Sequence, residues 1–182
     1  MSQAYINATK HTFEAVEFCI SNAKVIPALI LIYTLIDNAS WLSERDRKKR
    51  VGERFRYWVD SYLLPNSDIK CTSKELYSAR CSILHTLTTD VTKEEVGVRG
   101  IQYAFGDIEA EPLQEKLDSM KINVAVVIHI NDLYSAYRKS LDIMFKAIQS
   151  NDEWKLEVDL RASKAFASLH GDDAIEFTEN RI

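Results

Sequence analysis

The segment that most restricts what this chain can fold into runs from Val25 to Leu42. Val25 to Ile36 is apolar with little interruption, and a helix built on it is apolar nearly all round, so other elements must surround it. Pro27 suits the first turn of such a helix, where its missing donor would be unpaired anyway. The stretch is 12 residues long before Asp37 and Asn38, short of the roughly 20 that span a bilayer. It reads as a buried central helix.

A central helix needs partners, and helical periodicity supplies them along most of the chain. Phe13, Val16, Ile20 and Ala23 form one stripe, predicting a helix over residues 4–23. Ser43 is a candidate cap for a basic third helix with the stripe Val51, Phe55, Trp58, Val59 and Tyr62, which stops at Pro65. Thr72-Ser73-Lys74-Glu75 has the spacing of a capping box and predicts a fourth helix carrying Leu76, Ala79, Ile83, Leu84 and Leu87. Further helices are predicted after Asn131-Asp132 and after Asn151 or Asp152, the last one with Trp154, Val158, Ala162, Phe166 and Leu169 on one side and Gly171 as its stop.

The period changes only between Gly97 and Ile130. Ile101, Tyr103 and Phe105 alternate with Gln102 and Ala104, and Ile122, Val124, Val126, Ile128 and Ile130 alternate likewise. Two strands of a small antiparallel sheet are expected, with a short helix over Pro112–Met120 between them. Tyr103, Phe105 and His129 are read as packing and structural residues. The chain has five glycines and three prolines in 182 residues, too few turn formers for an all-β fold. The expectation is one mainly α domain over residues 1–170, a helical bundle with a two-stranded antiparallel β elaboration, followed by a mobile acidic tail over 171–182.

Charge and motifs exclude more than they name. A formal net charge of −4 creates no global field for nucleic acid or anionic lipid. Three cysteines without a C-x-x-C pair argue against a disulfide framework and fit a reducing cytoplasm. The N-terminus lacks the basic and apolar regions of a secretory signal. Neither a phosphate-binding glycine loop nor an i, i+4 histidine pair occurs, so no cofactor and no metal are expected. Arg45, Arg47, Lys48, Lys49, Arg50, Arg54 and Arg56 outnumber Glu44, Asp46 and Glu53. Lys48, Lys49 and Arg50 are therefore candidate RNA-phosphate contacts, the alternative being a solvated helix face.

One pair stands out within the fourth helix. Arg80 falls among Leu76, Ile83, Leu84 and Leu87 on a helical wheel, and a guanidinium there needs an acidic partner or an opening onto a cleft. Asp37, taken as following the central helix, is the candidate partner. His85 lies about 140° from Arg80 on a straight helix, so convergence calls for a distorted helix or a second copy across a two-fold axis.

Arg80-x4-His85 on a helix, with the aliphatic segment Val25–Leu42, the basic segment Arg45–Tyr62 and Glu75-Leu76-Tyr77 leading into the pair, resembles the HEPN superfamily, and within it a bacterial, often plasmid-borne branch of unknown function. The resemblance spans roughly residues 10–90 and 131–170. It implies a HEPN-like helical bundle, a homodimer, and metal-independent cleavage of RNA to a 2′,3′-cyclic phosphate by a toxin or phage-defence effector, with an antitoxin protein as a further partner. Arg80 and His85 would be catalytic, with Asp37, Tyr77, Cys81 and Ser82 in support. Cys81 stands where active members carry a polar residue such as Asn, and the second reading is a non-catalytic dimerising module that binds RNA, a nucleotide or a protein. A third is a structural ion pair between Arg80 and Asp37.

Overall fold

A computed structural model describes residues 3–46, 48–87, 97–120 and 125–164. Seven α-helices and two strands occur among them: α1 (Gln3–Ser21), α2 (Val25–Ser43), α3 (Val51–Trp58), α4 (Ser73–Thr86), β1 (Gly100–Ala104), α5 (Ala110–Ser119), β2 (Ala125–His129), α6 (Ile130–Gln149) and α7 (Asp152–Ala162). The chain is thus mainly helical with one small sheet. The expected tail over 171–182, and Phe166, Leu169, Ile122 and Val124, lie outside the described residues.

α2 occupies the middle, packed against α1, α3, α4, α6 and α7. Ile32, Tyr33, Ile36, Ala39 and Leu42 are fully buried along it, as an all-round apolar helix requires. The helix does not stop at Asp37 and Asn38. Asn38 accepts a hydrogen bond from the Tyr5 hydroxyl at 2.8 Å, Asp37 is held by Arg80, and α2 continues to Ser43. At 19 residues it is long and apolar enough to cross a membrane by length and composition alone, but half of that stretch is buried inside the protein. Its final carbonyls are met from α7. Arg161 Nη1 donates to Trp41 and Leu42, and Trp154 Nε1 donates to Ser43, at 3.0–3.1 Å, which satisfies orphan acceptors and puts a cation at the negative end of the helix.

Ser43 is therefore the last residue of α2, its hydroxyl donating back to Ala39, and does not cap the third helix. Described residues between 44 and 50 are not helical, and α3 begins only at Val51. Lys48, Lys49 and Arg50 consequently lie in the loop before α3. Phe55 and Trp58 are buried as the stripe predicts. Beyond Trp58 the chain widens into a π turn over Val59–Leu63 and tightens into a 3₁₀ turn over Leu64–Asn66, where Pro65 ends the helical path.

The strands correct the sequence reading. β1 and β2 pair in parallel, with Gly100 opposite Ala125 and Ala104 opposite His129. Alternation marks a strand without giving its direction. The connection over residues 105–124 contains α5, and a crossover of that length returns the chain to the same end of the sheet, whereas an antiparallel pair would need only a tight turn. His129 fills a structural role: its Nδ1 accepts from the Asn131 backbone N–H and caps α6, while its Nε2–H faces the Gly106 carbonyl at 3.2 Å. Tyr103 is no stacking platform, since its hydroxyl pairs with that of Tyr33 from α2, and burial pushes both phenols above their ordinary range.

The same sheet is tied to α4. Glu75 completes the capping box expected from the sequence, the Thr72 N–H donating to its carboxylate at 2.7 Å and its own N–H donating to the Thr72 hydroxyl at 3.2 Å. Arg99, just before β1, donates to Glu75 Oε1 at 2.7 Å. Burial raises the Glu75 pKa, but the Arg99 and Thr72 hydrogen bonds and the Arg99 charge outweigh it and the net shift is downward. A depressed carboxyl pKa contributes stability above the unfolded value, near 4.3, and that stability is lost as pH falls through the folded value. Glu75→Gln should cost about 2 kcal/mol at pH 7, less than a fully buried pair because Arg99 is 30% exposed. In urea titrations the gap between wild type and variant should close as pH is lowered below about 4, and a gap independent of pH would contradict the assignment.

Candidate active site around Arg80

α4 presents two different sides. Leu76, Ala79 and Ile83 are buried in the core, so burial of the apolar stripe sets the rotation of the helix. Arg80, beside that stripe, reaches across to α2. Its Nη2 and Nε lie 2.6 and 2.8 Å from Asp37 Oδ2, confirming the expected partner, although Asp37 sits within α2 and not after it. The side chains are 15% and 18% exposed. Burial disfavours the Arg80 charge, but the hydrogen bond to Asp37 and its negative charge outweigh burial and raise the guanidinium pKa.

The grip is one-sided. Asp37 uses a single oxygen, and its Oδ1 is buried without a hydrogen-bond partner, a condition that costs about 1–3 kcal/mol. Arg80 Nη1 is left out of the pair. Among the described residues it makes only long contacts, 3.5 Å to His85 Nε2 and 3.9 Å to Cys81 Sγ. A guanidinium nitrogen can only donate, so His85 Nε2 accepts there, and a neutral His85 ring in this arrangement carries its proton on Nδ1. His85 is exposed in the last turn of α4, before Leu87 closes the helix in the left-handed conformation at φ 55°. Helix side chains lean toward the N-terminus. His85 therefore leans back toward the long arginine, and one chain brings the two groups together without a second copy.

Tyr77 packs between Phe55 and the Arg80 guanidinium. Its ring centre lies 5.5 Å from that of Phe55 and 6.0 Å from Arg80 Cζ. Burial and the neighbouring Cys81 raise the phenol pKa, with Arg80 opposing and Asp37 adding to the rise. Ser82 does not join the group, because it is 4% exposed and points about 200° round α4 from Arg80. Lys49 is drawn to Glu44 at 3.3 Å and lies over the Tyr57 ring, while Lys48 and Arg50 are exposed in the loop that leads into α3.

Two neighbours of the site take on a place that the sequence did not give them: Gly52, which was not singled out, and Arg56, which was counted only as one of seven basic residues between Arg45 and Arg56. A Cβ at Gly52 would stand 2.8 Å from Tyr77 Cζ, so α3 and the Tyr77 ring approach as closely as they do only because that position is glycine. Arg56, one turn on, lies with its Cζ 5.8 Å from the centre of the same ring. The available signal was a glycine four residues before a basic residue inside a helical stripe.

A cavity of about 970 Å³ lies elsewhere, between the Asn66–Lys70 turn, α5 and α6. Six carboxylates, Asp68, Glu109, Glu111, Glu115, Asp118 and Asp132, line it against Lys70 and Lys139, so its electrostatics oppose a polyanion. No cluster of three or more potential metal ligands occurs among the described residues. No protein-family model matches the chain, and neither a curated protein nor a solved structure matches it.

Alanine normally favours a helix interior over glycine by about 1 kcal/mol, yet Gly52→Ala should destabilise the protein by about 1–2 kcal/mol through overpacking against Tyr77. In a Tyr77→Ala background the same change should become neutral or stabilising. Chemical denaturation of the four proteins tests this, and an unchanged sign in the two backgrounds would contradict the contact.

Proposed function

We propose that the chain is a HEPN-like endoribonuclease whose reaction is carried by Arg80 and His85. The observation that carries the reading is the division of labour on Arg80: Asp37 anchors Nε and Nη2, while Nη1 stays nearly uncommitted beside an exposed imidazole. A guanidinium fixed along one edge presents the other edge in a defined direction. That suits it to a phosphodiester oxygen, and to the charge that grows on phosphorus when a 2′-oxygen attacks.

The reacting groups follow from that placement. His85 in its neutral form takes the proton of the attacking 2′-hydroxyl, or as imidazolium supplies a proton to the departing 5′-oxygen. The bond formed is 2′-oxygen to phosphorus and the bond broken is phosphorus to 5′-oxygen. The products are a 2′,3′-cyclic phosphate and a 5′-hydroxyl. For His85 to serve as base through Nε2, Arg80 Nη1 has to leave that lone pair, and a bound phosphate offers it a stronger, charge-assisted acceptor. Substrate binding would then free the base. The basic loop with Lys48, Lys49 and Arg50 precedes α3, whose Gly52 and Arg56 border Tyr77, and in this reading it guides the strand toward the site.

His85→Ala is the sharpest variant, because the residue is exposed and its one described contact is long. Cleavage of a mixed-sequence RNA in the presence of EDTA should fall at least 100-fold, with the circular dichroism spectrum and melting temperature unchanged. Wild-type cleavage by this variant would overturn the proposal.

A further inference from the structure

Arg80 and Asp37 form a nearly neutral unit, since the carboxylate lies 2.6–2.8 Å from two guanidinium nitrogens in a mostly buried setting. An incoming phosphodiester would meet Arg80 together with the negative charge of Asp37. Holding a polyanion there calls for a cation whose charge is not already compensated. Arg56 has that character. Among the described residues no carboxylate lies within salt-bridge distance of it, and its described contact is with the Tyr77 ring.

Its placement is set by the helix. Gly52 and Arg56 are four residues apart and share one face of α3, and the arginine stem leans back over the turn that contains Gly52. Because Gly52 has no Cβ, the Tyr77 ring presses onto that turn. Arg56 and Arg80 therefore address one ring, at 5.8 and 6.0 Å from its centre. Those two distances to one point keep the guanidinium carbons within about 12 Å of each other, close enough for neighbouring phosphates of one strand.

We propose that Arg56 is the principal phosphate-gripping residue of this site, holding the RNA strand beside the phosphate on which Arg80 acts. The inference rests on the ribonuclease reading for its substrate class. It differs in what it requires: affinity should depend on Arg56, whatever the fate of the chemical step.

The test is binding of a 2′-O-methyl RNA oligonucleotide, whose capped 2′-oxygens cannot attack, to the full chain by fluorescence anisotropy across a salt series. Arg56→Gln should weaken binding at least tenfold at low salt. It should also reduce the slope of log affinity against log salt by about 0.7, as loss of one single-strand phosphate contact requires. Arg56→Lys should keep most of the slope. Lys10→Gln, a charge change of the same size on α1, should alter neither. An Arg56→Gln protein that binds like wild type, or a wild-type protein that does not bind the oligonucleotide, would overturn the proposal. Arg56-dependent binding by a wild-type chain that leaves unmodified RNA intact would instead refute the nuclease reading and leave the phosphate grip standing.

Discussion

A carboxylate in the middle of the most apolar helix and a guanidinium beside the apolar stripe of another are each untenable alone, and the Asp37–Arg80 pair makes both tenable. Removing either partner would strand a charge in a setting more than four-fifths shielded from water, where the penalty runs to several kcal/mol. The pair also fixes the rotation of α4 against α2. Burial of Leu76, Ala79 and Ile83 is compatible with small slides of one helix on the other, but a two-nitrogen bond to one oxygen is not. Replacing a buried ion pair with apolar side chains is often neutral or stabilising. Keeping this one, with Asp37 Oδ1 unsatisfied, makes sense where the direction of the guanidinium matters more than stability.

The remaining parts of the fold hold α4 still around that pair. At its start, Glu75 serves the Thr72 cap and Arg99 together, so one carboxylate joins the helix to the first strand. The strand in turn meets α2 through the Tyr33 and Tyr103 hydroxyls. α3 closes the other side through Gly52, Phe55 and Arg56 against Tyr77. Three elements thereby constrain the helix that bears Arg80 and His85. The small parallel sheet acts as a prop for α4 at one end, away from the imidazole at the other.

Much of this was legible in the residues, and the parts that were not have a common cause. Periodicity located the helices because burial acts on every turn, and Thr72–Glu75 announced a helix start because the cap is a local contact four residues wide. Asp37 could be paired with Arg80 in advance because both charges sat in apolar surroundings and each had few other solutions. Ser43 misled, since a serine before a basic stretch has the look of a cap, but the carbonyls of Trp41, Leu42 and Ser43 are met by Arg161 and Trp154 more than 100 residues away. The direction of β2 was lost for a similar reason: alternation carries no polarity, and only the length of the connection through α5 reveals it. Gly52 and Arg56 gained their meaning from Tyr77, a contact between elements that no local pattern encodes.

The measurement that bears most directly on the central claim uses a protein with Arg80→Met and Asp37→Leu together, which removes both charges and leaves apolar side chains between α2 and α4. If the pair exists to aim a guanidinium at phosphate, this protein should fold, melt at or above the wild-type temperature, and fail to cleave RNA. Cleavage at the wild-type rate by the doubly substituted protein would show that the pair only holds helices together and that the chemistry lies elsewhere.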